Sequence, residues 1–420
     1  DTSGGAMFEL KADPRVLYVK DETVLTEETD LKVEGVKVAF PAAAESVGSL
    51  TVGAGAVVTV NGQFTVKRSV VVEKGGKIIW NKPGNVGGNL IVLDGGVITH
   101  DNVVGNGVGT VEANKINLNV GGSVFIAKGG KADAKGKGFT RNGYKMSGGL
   151  AWEHTQYPEK AISSAHGGRG SGTKLPYGSI FSPTNFGSTA TYDNSVYHSL
   201  NPAEADFGGG SILIAATQMM VIDGIVDAGG SERNFDGASS SGGSIYLKAG
   251  AICGAGEILS CGCNVAVNQN AGAGGRISLV NEKSHVNLFK GKVLAAAGKR
   301  EENTVFEYYR YSSAGTVYMQ YGKISGNGEL IIDADRWNRK DNPSFMTDLT
   351  PTVACDREEK KALKHTRVIV KNGGRLMGSE DTTIKDLLLQ SDHAYVTIKA
   401  GATLRILSFE HPLGESAAQV

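Results

Sequence analysis

Excess charge is missing from this sequence: Lys+Arg and Asp+Glu both number 43 across 420 residues. That balance argues against a nucleic-acid partner, because no basic surplus is available to displace counterions from phosphates. No apolar run approaches the length needed to cross a bilayer, so no membrane span is expected. No leader-like segment opens the chain, and "DTSGGAMF" reads as a trimmed or mature terminus.

Cysteine is sparse as well. Cys253, Cys261 and Cys263 cluster in "ICGAGEILSCGCN", and Cys355 stands apart. A zinc site would call for a suitably spaced histidine or a second C-x-x-C, and neither is present. One or two disulfides of a secreted protein are expected instead, and the sequence leaves the three full pairings open. Also absent are the G-x-S-x-G, Walker, H-E-x-x-H and dinucleotide patterns, and the calcium-binding nonapeptide. The acidic pairs Asp223/Asp227 and Asp333/Asp335 are candidates for glycoside hydrolysis or for calcium. They sit among apolar strand positions, so no metal or cofactor is expected; calcium is the one cation they leave open. Helix signals are scarce. The one candidate, "DREEKKALKH" at 356–365, reads as a solvated charge run rather than a helix.

What is abundant is glycine, with 59 residues, roughly double ordinary usage. It recurs at turns between apolar runs: "TVGAGAVVTV", "VVEKGGKIIW", "IVLDGGVITH" and "LNVGGSVFIA", marked by Gly55, Gly76, Gly96 and Gly122. A longer repeat follows, in "GGGSILIAATQMMVIDGIVDAGG", "SGGSIYLKAGAICGAGEILSCGC", "AGGRISLVNEKSHVNLFKGKVLAAAG" and "SAGTVYMQYGKISGNGELIIDAD". Its apolar positions align as Ile212, Ile245, Ile277 and Val317, and again as Ile225, Ile258, Val293 and Leu330. Apolar residues alternate with small or polar ones, which is the period of a strand. Short strands with Gly-marked corners, repeating every 20–25 residues or so, read as a parallel β-helix, an all-β solenoid. Residues 1–40 are expected as an N-terminal cap or edge strands, and 41–420 as a single β-helix.

Insertions interrupt the repeat at 139–207, 299–314 and 335–366. Each follows the second set of aligned positions or precedes a "GG" start, so the loops are expected to project from one edge. Loops on a rigid scaffold carry most binding chemistry. The candidate ligand-binding residues on this edge are Trp152, Arg169, Tyr177, Arg233, Tyr308, Tyr309, Arg310 and Trp337. Aromatic faces with arginines suit sugar rings and acidic polysaccharides. A basic strip, Lys128, Lys131, Lys135, Lys137, Arg141 and Lys145, is a further surface for an anionic glycan, or simply solvent-facing turns.

The ordered set "SSAHGGRGSG", "YGS", "P", "G" and "GGGSI", within about residues 90–335, resembles a glycine-rich module of large secreted or cell-surface proteins. These belong to the pectin-lyase-like, right-handed parallel β-helix group. The stretch "STATYDNSVYHSLNPAEADF" is longer and less glycine-rich than such modules usually show, and the cysteines look like a local addition. The fold group holds both adhesins and polysaccharide-degrading enzymes.

Two functions follow as expectations. The first is a structural or adhesive protein, extracellular or on a cell surface. It would bind a polysaccharide, a cell-surface glycan or a protein partner, as part of a larger chain or assembly. The alternative is a lyase or hydrolase of an acidic polysaccharide, with His166, Arg169, Tyr308 and Arg310 as base, cation and platform. Glycines beside His166, and Tyr177, Gly178 and Pro183 after it, read as turn and packing residues. His166 is therefore expected to hold a loop rather than to take protons.

Overall fold

The computed structural model describes residues 7–11, 16–18, 26–40, 45–102, 114–139, 164–170, 176–189, 207–231, 240–264, 271–299, 312–335, 347–349, 357–391 and 393–408. It is nearly all β. The chain visits three parallel sheets in turn. Ser49–Val52 enters the first sheet, Val57–Val60 the second and Phe64–Val66 the third. Val70–Val72, Lys77–Trp80 and Gly84–Val86 repeat the circuit on top. In each strand alternate side chains are buried, which is how a period of two packs one face inward.

Inward residues stack in columns. In the first sheet Leu50, Val70, Leu90, Val124 and Met220 are in register. In the third, Ile116, Ile212, Ile245, Ile277 and Val317 form one column, including the four aligned from the sequence. The other alignment needs correction. In the second sheet Val226, not Ile225, pairs with Ile258 and then Val293, while Ile225 sits beside Lys131 and Glu257. Both residues of the Ile-Val pair are apolar, and a one-residue slip exchanges the faces. Leu330 lies in the third sheet instead.

The corner between first and second sheets is set by glycine. Gly35, Gly55, Gly75, Gly95 and Gly129 have φ of 70°, 71°, 75°, 72° and 82°, where a side chain is unfavourable. The N–H groups of Gly55, Gly75 and Gly95 each donate to the glycine carbonyl of the next turn. Gly76 and Gly96, singled out in the sequence, directly follow the left-handed residues, and Gly122 belongs to the corner between third and first sheets. At Gly84 the missing side chain has another use. A Cβ there would overlap the indole of buried Trp80, which also packs edge-on against Phe64 at 6.0 Å.

The circuit stops after Thr316–Tyr321. The next strand, Gly328–Asp333, pairs antiparallel with it, and Thr366–Lys371, Thr382–Gln390 and Leu404–Ser408 then extend the third sheet in parallel. A small sheet of Thr347–Asp348, Arg375–Gly378 and Tyr395–Ile398 accompanies them. The hydrophobic core changes face at this junction. Val317 and Met319 belong to the first core. Tyr318, Leu330, Ile332, Val368, Leu376 and Ile384 belong to a second one. One long sheet thus covers two cores, on opposite faces before and after the reversal.

Arg357–Leu363 is an α-helix, which corrects the charge-run reading. Its buried Ala362 and Leu363 join the second core, and tertiary packing stabilises a helix too short to persist alone. Among the described residues no helix is long and apolar enough to cross a membrane.

Candidate functional site

Five second-sheet strands are joined to the next third-sheet strand by long connections, the first from Val97–Thr99 to Ile116–Val120. The other four run from Lys131–Asp133 to Ser211–Ala216, Ile225–Asp227 to Ser244–Ala249, Glu257–Leu259 to Arg276–Asn281, and Lys292–Leu294 to Thr316–Tyr321. All occupy the same corner of the circuit.

The described part of the longest connection, 164–170 and 176–189, crosses the outer face of the third sheet. On that face Ser211, Ser244, Arg276 and Thr316 are in register. The first three hold the crossing segment through its own carbonyls, and Thr316 Oγ1 accepts from Arg276 Nη1 at 2.9 Å. Ser211 Oγ donates to Thr184 O at 3.1 Å, Ser244 Oγ to Asn185 O at 2.6 Å, and Arg276 Nε to Tyr177 O at 2.8 Å. One step along the strand, Ser278 Oγ donates to Phe181 O at 2.6 Å. The segment is a strap, and it makes the outward hydroxyls of a sheet into internal ones. Phe181 stands edge-on to Tyr318 at 4.6 Å, carrying the strap into the second core.

His166 belongs to the first part of this strap and is fully buried. Its Nδ1–H donates to Gly242 O at 2.8 Å, and its ring packs on Tyr177 at 4.7 Å. Burial, aided by the neighbouring Arg276 charge, lowers its pKa to about 3. It is neutral at physiological pH and has no face toward solvent. The glycines after it pass the wall closely: a Cβ on Gly167 would strike the Gly275 carbonyl, and one on Gly168 the Ser313 carbonyl.

Arg169 is held twice by Asp348, Nε to Oδ2 at 2.5 Å and Nη2 to Oδ1 at 2.6 Å. Asp348 is 3% exposed, so the pair ties the insertion to the small sheet. A bidentate guanidinium–carboxylate pair is geometrically strict, and here it positions backbone. Tyr177, expected to meet ligand, instead has 0% exposure, and its hydroxyl donates to Phe186 O at 2.6 Å. Its ring offers nothing to a sugar. The structure therefore brings His166 and Tyr177 together as packing and sets Arg169 as an ion pair. Trp152, Arg233, Tyr308, Tyr309, Arg310 and Trp337 lie outside the described residues.

Of the expected disulfides, the three full pairings are not formed. No disulfide joins Cys253, Cys261 or Cys263 to one another, and Cys355 lies outside the described residues. Any full pairing of four cysteines must join two of those three, so none is formed. Cys261 Sγ donates to Leu294 O at 3.6 Å, and burial pushes its thiol pKa up to about 11. The paired acids also have local duties: Asp227 Oδ1 accepts from Gly229 N at 2.7 Å, and Asp333 Oδ1 from Asp335 N at 2.8 Å. Among the described residues no group of three or more His, Cys, Asp or Glu side chains is placed to hold a metal ion.

Sequence reasoning missed His100, Arg276 and Asp348. His100 is buried; its Nδ1–H donates to Asp101 O at 2.8 Å and its Nε2 accepts from Ser211 N at 3.2 Å. Burial lowers its pKa to about 4. Arg276 was visible as the lone cation in a repeat column otherwise made of Ser and Thr. Asp348 carries no local signal, because its partner is 179 residues away. No family model, curated protein or solved structure matches this chain.

Proposed function

We propose that the three-sheet circuit is a right-handed parallel β-helix of the pectin-lyase-like kind, and that the chain is a structural or adhesive protein of the extracellular space or cell surface. Its connections gather at one corner of the circuit, and this edge is the surface offered to a polysaccharide, a cell-surface glycan or a protein partner. The observation that carries the reading is the state of His166 and Arg169. The residues best suited to proton abstraction and charge stabilisation are spent on Gly242 and Asp348. A general base must reach the proton it takes, and a neutral, fully buried imidazole does not. Long stacks of parallel strands strapped by their own insertions suit a stiff scaffold.

The test is to incubate the chain with acidic and neutral polysaccharides and assay new unsaturated or reducing ends, alongside glycan-array binding. Binding without turnover is expected. Turnover that survives His166→Gln and Arg169→Gln would place an active site elsewhere and overturn the scaffold reading, and turnover abolished by either change would restore the lyase one.

A further inference from the structure

We propose that the outer face of the first sheet docks a second copy of this chain, making a two-fold dimer joined back to back. Along the middle of that sheet one outward position recurs from turn to turn. It starts polar, as Lys32 and then Thr51. In the next six turns it is apolar: Val71, Ile91, Phe125, Val221, Cys253 and Leu288, all in register. The third sheet offers a contrast from the same chain. Its outward column Thr65, Asn85, Asn119, Ala215 and Lys248 is mostly polar, as a face meeting water usually is.

The apolar column is open to solvent. Leu288 is 41% exposed, and Met219 and Val286 on the same sheet side are 40% and 60% exposed. Single exposed aliphatics are ordinary, but six successive turns of them on one face mark an interaction site.

The occupant follows from size and charge. Six turns span about 24 Å, and a strand with its flanking bends about 20 Å. Two such faces bury about 1,000 Å² together, which is the least a specific interface needs. A two-fold axis along the strands reverses the stacking direction and keeps the strands aligned, the common geometry of sheet on sheet. Val71 then meets Leu288 of the partner subunit, Ile91 meets the partner's Cys253, and Phe125 meets the partner's Val221. The same operation matches the charges at the bends that follow these strands. Glu73 meets the partner's Lys290, and Lys128 meets the partner's Asp223. Between them Leu93 faces the partner's Ala255. Among the described residues Glu73, Lys128 and Lys290 enter no ion pair within their own chain.

The long connections leave from the corner between the second and third sheets, which the first sheet does not share. A dimer joined through the first sheet therefore presents two loop edges outward, and a partner that engages both is held with the avidity of two linked sites.

The experiment is sedimentation velocity of the full chain between about 1 and about 100 μM, with a circular dichroism spectrum of every variant. A single closed dimer is expected, with no larger species, because a two-fold contact uses up its own surface. Leu288→Asp and Phe125→Asp, both on the outer face, should each give a folded monomer. Lys128→Glu should weaken the dimer about tenfold, and Lys128→Glu/Asp223→Lys should restore it, since each copy then carries both reversed charges. A parent that stays monomeric would leave the face to another partner and overturn the proposal. A dimer indifferent to Leu288→Asp, or a charge reversal that the double variant does not rescue, would overturn it equally. None of these results bears on glycan binding at the loop edge, which shares no residue with this face.

Discussion

His166 shows how a residue that looks like a reagent becomes a fastener. Its carbonyl partner fixes the Nδ1–H tautomer, and burial keeps the ring neutral. His100 repeats the arrangement under the same strap, and its ring lies 5.8 Å from that of Phe186. Unfolded histidine titrates near 6.5, whereas these two titrate at about 3 and about 4 when folded. Between those limits the unfolded chain holds protons that the folded chain refuses. Stability is therefore complete above about pH 6.5 and falls as pH drops toward 4, by at most about 1.4 kcal/mol per pH unit for each histidine. Melting temperature measured across this range should fall less steeply in His166→Gln than in the parent. An unchanged slope would mean that His166 is not buried neutral.

A strand's worth depends on which of its residues points inward. Val226 is fully buried, whereas Ile225 is half-buried on the outer face. Val226→Ala should cost about 2 kcal/mol, and Ile225→Ala well under half of that. Denaturation midpoints of the two variants decide it; equal losses would contradict the register. This strand also marks what the sequence makes legible. Where apolar and polar residues alternate, as at Ile245 and Leu247, the inward column is readable directly from composition. Where two aliphatics adjoin, only pairing with neighbouring turns resolves the face. The helix at Arg357–Leu363 fails in sequence for a related reason: its local pattern is mostly charge, and what holds it is a core assembled from distant strands. For the candidate site, the strap's glycines announced close passage. The strap's partners, Asp348 for Arg169, Ser278 for Phe181 and Arg276 for Tyr177, are fixed only by long-range contacts that no local pattern records.

For the molecule as a whole, two regimes meet at one sheet. Up to Tyr321 the chain adds turns by repetition; beyond it an antiparallel strand ends the repetition and a second core begins on the other face. Between about residues 50 and 100 neighbouring turns are 20 residues apart, as in the Asn61–Asn81–Asp101 hydrogen-bonded row, before the insertions lengthen them. Deleting residues 67–86 removes one whole turn, including Trp80 and the Gly84 notch that accommodates it. Such a deletion should leave a folded protein with its cooperative thermal transition, whereas deleting 67–85 should abolish it. Circular dichroism and thermal melts of the two deletions test this. The uniform turn makes length a counted quantity. Gaining or losing one would move everything beyond it by about 4.8 Å, leaving both ends chemically as they were, so reach can be graduated like the divisions of a ruler while the attached surfaces stay the same.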